Sequence, residues 1–320
     1  MNKLKILNTV DYSNCKKSLD VFNNIAQVDE VKDDYESVYN VIDEYDAYIS
    51  SLKVKFDKKM ILKAKRLKVI GTPSTGTDHL DIEQIKKTGI ECFSIAKEFN
   101  LINSFTATSE LAFALLLMLN RKLSAATSAA LNGDWWKREK FSGFQLNGKT
   151  FGVLGLGRLG KISAKIANGF NMKVIFYDIK DIKADGVDRV SLKDLFERSD
   201  VLSIHIHLNN KTNGLVNYKY LSSMKNTSIL INTSRGAIIN EADLLKALEK
   251  NIISGAVLDI IDGEWNKNIS SHPLIKYARE NENLLITPHI GGATKESIEG
   301  ARDFIAKKIA DYMSEKLIKK

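Results

Sequence analysis

Cysteine is nearly absent: Cys15 and Cys92 are the only two in 320 residues. Their spacing fits neither a zinc site nor a disulfide framework, so no metal is expected, and two free thiols point to the cytoplasm. Long apolar runs are missing too. The longest, LAFALLLML over residues 111–119, falls well short of the roughly 20 residues that span a bilayer, and no membrane partner is expected. The opening MNKLKILNTVDYSN has a charged start without the apolar stretch or cleavage pattern of a signal peptide, and reads as a first strand. Low-complexity tracts and repeats at solenoid periods are also lacking. What remains is a globular chain long enough for one large or two medium domains.

Basic residues are in excess, giving a net charge of +8, but they are not clustered. KDLFERSD and KALEKN mix lysines with acids, and no basic run interleaves with stacking aromatics. A solvated basic surface is expected, able to draw in an anionic cofactor or substrate, and no nucleic-acid partner.

What is present is alternation. From FGVLGLG (151–157) onward, β-branched runs exchange with amphipathic stretches: KISAKIANGF, KVIFYD, SLKDLFERSD, VLSIHIHL, TSILINTSRG, EADLLKALEKN, ISGAVLDI and NLLITPHIGG. That order predicts a parallel sheet covered on both faces. The first hundred residues repeat it more weakly, in KILNT, YDAYIS, LKVIGTPS and GIECFS, as a smaller α/β unit. Between the two, residues 106–133 predict one long helix, with Thr106 or Thr108 at its start and Gly133 at its end. Its first half is apolar nearly all round and must be buried, at a domain junction or a subunit interface.

GLGRLG (155–160) matches the dinucleotide fingerprint between a strand and a helix. Gly155 allows the tight turn, Gly157 lets a pyrophosphate approach the backbone, and Gly160 lets helix pack on strand. Arg158 and Leu159 open the helix whose N-terminus receives the phosphates. Asp178, 18 residues beyond Gly160, is placed to accept hydrogen bonds from a ribose diol and to repel a 2′-phosphate, which favours NAD over NADP. GFQLNGKT (143–150) fits the phosphate-loop pattern letter for letter. Thr150 runs into a strand rather than a helix, so Asn147-Gly148 reads as a turn and the match as a decoy.

Three more residues follow predicted strands: Arg235 after SILINTS, Glu264 after GAVLDI and His289 after LLITP. Ligands bind beyond the carboxyl ends of strands in open parallel sheets. A histidine suits proton transfer near neutral pH, a carboxylate beside it stabilises the imidazolium, and a guanidinium grips a carboxylate with two parallel bonds. Pro288 fixes the backbone before His289, and the following glycines, Gly291 among them, allow close approach to a cofactor.

Together these segments resemble the NAD-dependent D-2-hydroxyacid dehydrogenases. The likeness runs from about residue 45 to 305 and rests on GKTFGVLGLGRLG, VLSIHIHL, MKNTSILINTSRGAIINEADLLKAL, GAVLDI with Glu264 five residues after Asp259, and NLLITPHIGG. It implies that Arg235 holds the substrate carboxylate, His289 is the acid/base and Glu264 tunes it. It implies that Asp259 lies on the nicotinamide side and that Thr108, His205, Thr212, Thr233 and Ser234 line the cofactor. Leu52, in SSLKVKF, and Ser74, Thr75 and Gly76, in GTPSTGTD, align with substrate loops. The implied fold is a Rossmann NAD-binding domain, residues 105–294, inserted in a flavodoxin-like substrate domain, residues 1–104 and 295–320. The implied assembly is a homodimer through the long helix, 108–131.

Three positions depart from the family pattern, His207 among them: Ile261 stands where an aromatic is usual, and Trp265 where a proline is usual. His207 replaces a usual proline, and His79 and His272 are expected to be structural. The reaction expected is hydride transfer between NAD(H) and a small 2-hydroxy or 2-keto acid. Lys53 and Lys55 leave a phosphorylated acid open beside glyoxylate, hydroxypyruvate or a sugar acid. The alternative is an NAD(H)-sensing interaction protein of the same fold.

Overall fold

The computed structural model describes residues 3–13 and 15–318; residues 1, 2, 14, 319 and 320, which fall in the expected substrate domain, lie outside it. Two compact α/β units emerge, Met1–Phe105 with Thr294–Lys320, and Thr106–Ala293.

The first unit has five parallel strands, β1 (Lys5–Asn8), β2 (Gln27–Glu30), β3 (Ala47–Ile49), β4 (Val69–Thr72) and β5 (Glu91–Ser94), in the order β2-β1-β3-β4-β5. This is the flavodoxin-like order. Side chains alternate across the sheet, so β1 sends Ile6 to one face and Leu7 to the other. Ile6, Ala47, Ile49 and Val69 pack with Ile305 and Ile309 of the helix Lys295–Met313. Leu7, Tyr48 and Ile70 pack with Met60 and Ile85 on the opposite face. Gly71 explains how closely that helix lies: a Cβ there would stand 2.6 Å from Ile309 Cδ1. The edge strand β2, QVDE, carries no buried residue.

The second unit has seven parallel strands: β6 (Thr150–Leu154), β7 (Lys173–Tyr177), β8 (Asp188–Arg189), β9 (Val201–Ile204), β10 (Ile229–Asn232), β11 (Gly255–Leu258) and β12 (Leu284–Ile286). Their order is β12-β11-β10-β9-β6-β7-β8. Counted from β6, this is the Rossmann order extended by one strand, with the switch point between β6 and β9. Strands β9, β10 and β11 are buried at every residue, which is why their sequences read as nearly continuous apolar runs.

The single long helix is corrected to two, Ala107–Asn120 and Leu123–Leu131. Lys122 adopts φ of 48°, outside helical space. Asn120 ends the first helix with its side chain turned away, donating to Phe144 O at 2.7 Å and accepting from Phe144 N–H at 3.0 Å. Thr106 holds the N-cap position, but its hydroxyl bonds the Glu110 carboxylate, not a backbone amide. Ala112, Phe113, Leu115 and Leu116 are buried in the core beneath β6. By length and composition the stretch 99–120 would reach across a membrane, yet only Phe99–Ile102 and Ala107–Asn120 within it are helical. In the phosphate-loop decoy, Gly148 has φ of 75° and its N–H bonds Asn171 O at 2.9 Å, so the segment turns directly into β6.

Candidate active site at the carboxyl edge of the seven-stranded sheet

Because all seven strands are parallel, their carboxyl ends share one edge. Past β6 come Gly155 and Gly157, past β7 Asp178, past β9 His205, past β10 Thr233, Ser234 and Arg235, past β11 Asp259 and Glu264, and past β12 His289 and Gly291. Of the cofactor and catalytic residues expected in this unit, Thr108 alone does not follow a strand; it is in the first turn of the helix Ala107–Asn120.

The three fingerprint glycines meet three different demands. Gly155 has φ of 94°, and its N–H bonds Tyr177 O at 2.8 Å. A Cβ on Gly160 would lie 2.1 Å from Gly155 O, so helix and strand approach as only glycine permits. Gly157, at the N-cap of the helix Arg158–Gly169, faces open space: a Cβ there would meet nothing within 4 Å. The positive end of the helix thus borders open space. Leu159 O accepts the Ser109 hydroxyl at 3.1 Å, and burial lowers the Arg158 guanidinium below its ordinary value without discharging it.

Two buried polar atoms at the same edge have no hydrogen-bond partner, His205 Nδ1 and Thr233 Oγ1. Buried polar groups are nearly always satisfied, and a dinucleotide's polar atoms would satisfy these two. Burial pushes His205 down to about 4, so its ring is neutral at physiological pH, with Nε2 bonded to Ser203 Oγ at 2.9 Å. Asp178 accepts from Leu156 N–H at 2.9 Å and Lys180 N–H at 2.8 Å, which fixes its carboxylate next to the fingerprint turn.

The reactive corner is built around His289. Its Nδ1 lies 2.7 Å from Glu264 Oε1, and both side chains are about four-fifths covered. His289 has φ of 56°, a left-handed conformation that costs a non-glycine residue about 1 kcal/mol or more. The surrounding loop enforces it. His289 N–H bonds Asp259 O at 2.8 Å and Thr287 O at 3.0 Å. The buried Asp259 carboxylate accepts from Thr287 Oγ1 at 2.6 Å, Ile290 N–H at 2.9 Å and Gly291 N–H at 2.7 Å. Asp259, expected on the nicotinamide side, therefore turns both oxygens to the His289 loop. Its charge is balanced by charge-assisted bonds to that loop. Gly291 must be glycine here, since a Cβ would stand 2.9 Å from Asp259 Oδ2 and 3.1 Å from Thr108 Cγ2.

Asn232 does the same for the arginine loop, and the sequence reading missed it. This fully buried residue accepts from Ser234 N–H at 3.0 Å and donates to Arg235 O at 2.9 Å. A lone amide inside the apolar run SILIN was the available signal. Ser234 donates to Ile204 O at 2.7 Å, joining that loop to β9. Glu241 was also missed: its Oε1 accepts Asp262 N–H at 2.8 Å, bracing the segment that carries Glu264. A Cβ on Gly236 would lie 2.2 Å from Asp262 N, so the arginine and glutamate loops touch backbone to backbone.

Three expected contacts are otherwise engaged. Thr212 donates to His207 O at 2.7 Å and accepts Asn209 N–H at 2.8 Å, closing its own turn. In the first unit, Leu52 follows β3 and Ser74–Gly76 follow β4, but the Gly76 N–H already bonds Ser74 Oγ at 3.1 Å. Lys53 pairs with Asp33 at 3.3 Å. Cys15 and Cys92 are unlinked, and no metal-ligating cluster occurs among the described residues.

Residues 113–291 match the family described as D-isomer specific 2-hydroxyacid dehydrogenase, NAD binding domain. A glyoxylate reductase of Thermococcus litoralis is 36% identical over 279 residues, 84% of this chain and 81% of that one. A D-3-phosphoglycerate dehydrogenase of Synechocystis is 32% identical over 319 residues, 98% of this chain and 54% of that one. The crystal structure of D-lactate dehydrogenase from Aquifex aeolicus, complexed with NAD and lactic acid, has a TM-score of 0.84 at 26% identity, covering 98% of this chain and 97% of that one. The chain belongs to the D-isomer specific 2-hydroxyacid dehydrogenase family, as an NAD-dependent oxidoreductase.

Proposed function

We propose that the second unit reduces the C2 carbonyl of a small 2-keto acid, and oxidises the matching D-2-hydroxy acid, with His289 as acid/base. The observation that carries this is the His289–Glu264 pair at 2.7 Å, on the sheet edge that also bears the glycine fingerprint and Arg235. Gly155, Gly157, Arg158, Leu159, Gly160, Asp178, His205, Thr233 and Ser234 would hold the dinucleotide. Bound NADH supplies a hydride to C2, and NAD accepts it in the reverse direction. Glu264 fixes His289 Nδ1–H by accepting its hydrogen bond, which leaves Nε2 to give a proton to the carbonyl oxygen as that oxygen becomes a hydroxyl. In oxidation Nε2 takes the hydroxyl proton back. Arg235 binds the substrate carboxylate and polarises the neighbouring carbonyl. In the first unit, Leu52 and the Ser74–Gly76 loop are the candidate substrate contacts.

The relatives named glyoxylate reductase support glyoxylate as substrate, and Lys53, already paired with Asp33, weakens the case for a phosphorylated acid. A cytoplasmic homodimer belongs to the same proposal. Its support is the helix Leu123–Leu131, which buries no residue and leaves Leu131 84% exposed, followed by exposed Trp135 and Trp136. NADH oxidation by the purified protein across a panel of 2-keto acids tests the activity. Turnover of glyoxylate is expected, whereas tight NADH binding without turnover of any acid would overturn it in favour of a sensor.

A further inference from the structure

His289 is held at one ring nitrogen by Glu264 and along its backbone by the Asp259 loop. A third contact lies on the face of the ring. The indole of Trp265 stacks on the imidazole with centroids 6.0 Å apart and planes 24° from parallel, an offset stack. Trp265 follows Glu264 directly in the chain, so one short segment supplies both the edge contact and the face contact.

A single hydrogen bond at Nδ1 lets an imidazole rock about the line to Oε1, which would swing Nε2 out of register. A flat ring on its face removes that freedom. The same ring turns its negative quadrupole face toward the imidazole. Among charged groups, Glu264 bonds Nδ1 and Asp259 holds the following amides; Arg235 lies past β10, and a further arginine is Arg279. The last comes from the helix Pro273–Glu280 and lines, with Glu264, Thr287 and Pro288, a cavity of about 490 Å³. Only Trp265 meets the ring's face among the described aromatic pairs. The core does not require it there: Trp265 is 45% exposed, while Ile261, at the position where the family pattern has its aromatic, is buried.

We propose that Trp265 is a positioning residue for proton transfer, clamping the imidazole of His289 face-on while Glu264 holds its edge. The proposal rests on the reading of His289 as the acid/base. Trp265→Ala, Trp265→Leu and Trp265→Phe, measured beside His289→Ala, test it. Trp265→Ala and Trp265→Leu should lower kcat roughly two- to fivefold, with the KM for the keto acid and the affinity for NADH unchanged. Trp265→Phe, which keeps a stacking face, should restore kcat. The Hε1 resonance of His289, identified by its loss in His289→Ala, should move downfield in the Ala and Leu variants as the indole ring current is removed. Full kcat in Trp265→Leu, or an Hε1 resonance that does not move, would overturn the proposal alone. Turnover in His289→Ala within a few-fold of the natural chain would overturn the acid/base reading and this proposal with it.

Discussion

The second unit contains two histidine–glutamate pairs with opposite employment. His272 lies 3.1 Å from Glu241 through Nε2, while its Nδ1 accepts Leu274 N–H at 3.3 Å and caps the helix Pro273–Glu280. That acceptor role requires the proton on Nε2, so both nitrogens are spent. Glu241 is spent as well, on His272 and on Asp262 N–H, and burial pushes its carboxyl above the ordinary value. His289 is bonded among the described residues at Nδ1 alone. The same two residue types thus make a brace where every polar atom is satisfied, and a pair with one ring nitrogen left over at the carboxyl edge of the sheet. Unused hydrogen-bonding capacity, more than residue identity, separates them.

Substituting each histidine breaks the comparison most sharply. His289→Ala should lower kcat by on the order of 10²–10⁴-fold with NADH affinity retained, as expected for loss of a general acid. His272→Ala should keep turnover within a few-fold, so a comparable loss in both variants would erase the distinction. Steady-state kinetics beside NADH fluorescence titration measure this.

A third histidine tests the same idea through stability. His205 titrates at about 4 in the folded protein, against 6.5 for the free side chain. The unfolded chain therefore binds its proton first as pH falls. The stability His205 confers is complete above about 6.5 and is lost between there and 4, in total roughly 3 kcal/mol. Urea unfolding at pH 7 and pH 4.5 should show a smaller difference for His205→Gln than for the natural chain. An equal difference would show that the ring is not held neutral. His272→Ala, with the cap and the Glu241 contact gone, should cost about 1–2 kcal/mol of stability at neutral pH, measured the same way.

The smallest effect concerns Asp178, which resembles Glu241 in bonding backbone amides. If it also reads the ribose, Asp178→Ala should narrow the preference for NADH over NADPH by roughly tenfold, the scale of one charge-assisted hydrogen bond. An unchanged ratio of kcat/KM for the two cofactors would make Asp178 a brace only.

Local chemistry made much of this legible. GLGRLG announced its turn because three glycines at fixed spacing serve a strand, a ligand and a helix, and the buried strands β9–β11 stood out as apolar runs. The strands that did not stand out, β2 and the two-residue β8, are polar edge strands with nothing to bury. The break at Lys122 was hidden because its partner is distant: the side chain of Asn120, the last residue of the first helix, bonds Phe144. The pinning of His289 was equally non-local, since Asp259 reaches it from the neighbouring strand, about thirty residues earlier in the chain. A sequence displays which residues can do chemistry; which of their atoms remain available depends on partners far along the chain.

The backbone contact at Gly236 has a consequence for engineering. With no room for a Cβ between it and Asp262, the segment bearing Arg235 and the segment bearing Glu264 cannot be exchanged separately for those of a relative. A graft meant to alter substrate choice should move residues 233–241 and 259–265 as one cassette, each piece beginning at the carboxyl end of β10 or β11, whose parallel pairing fixes the register of both.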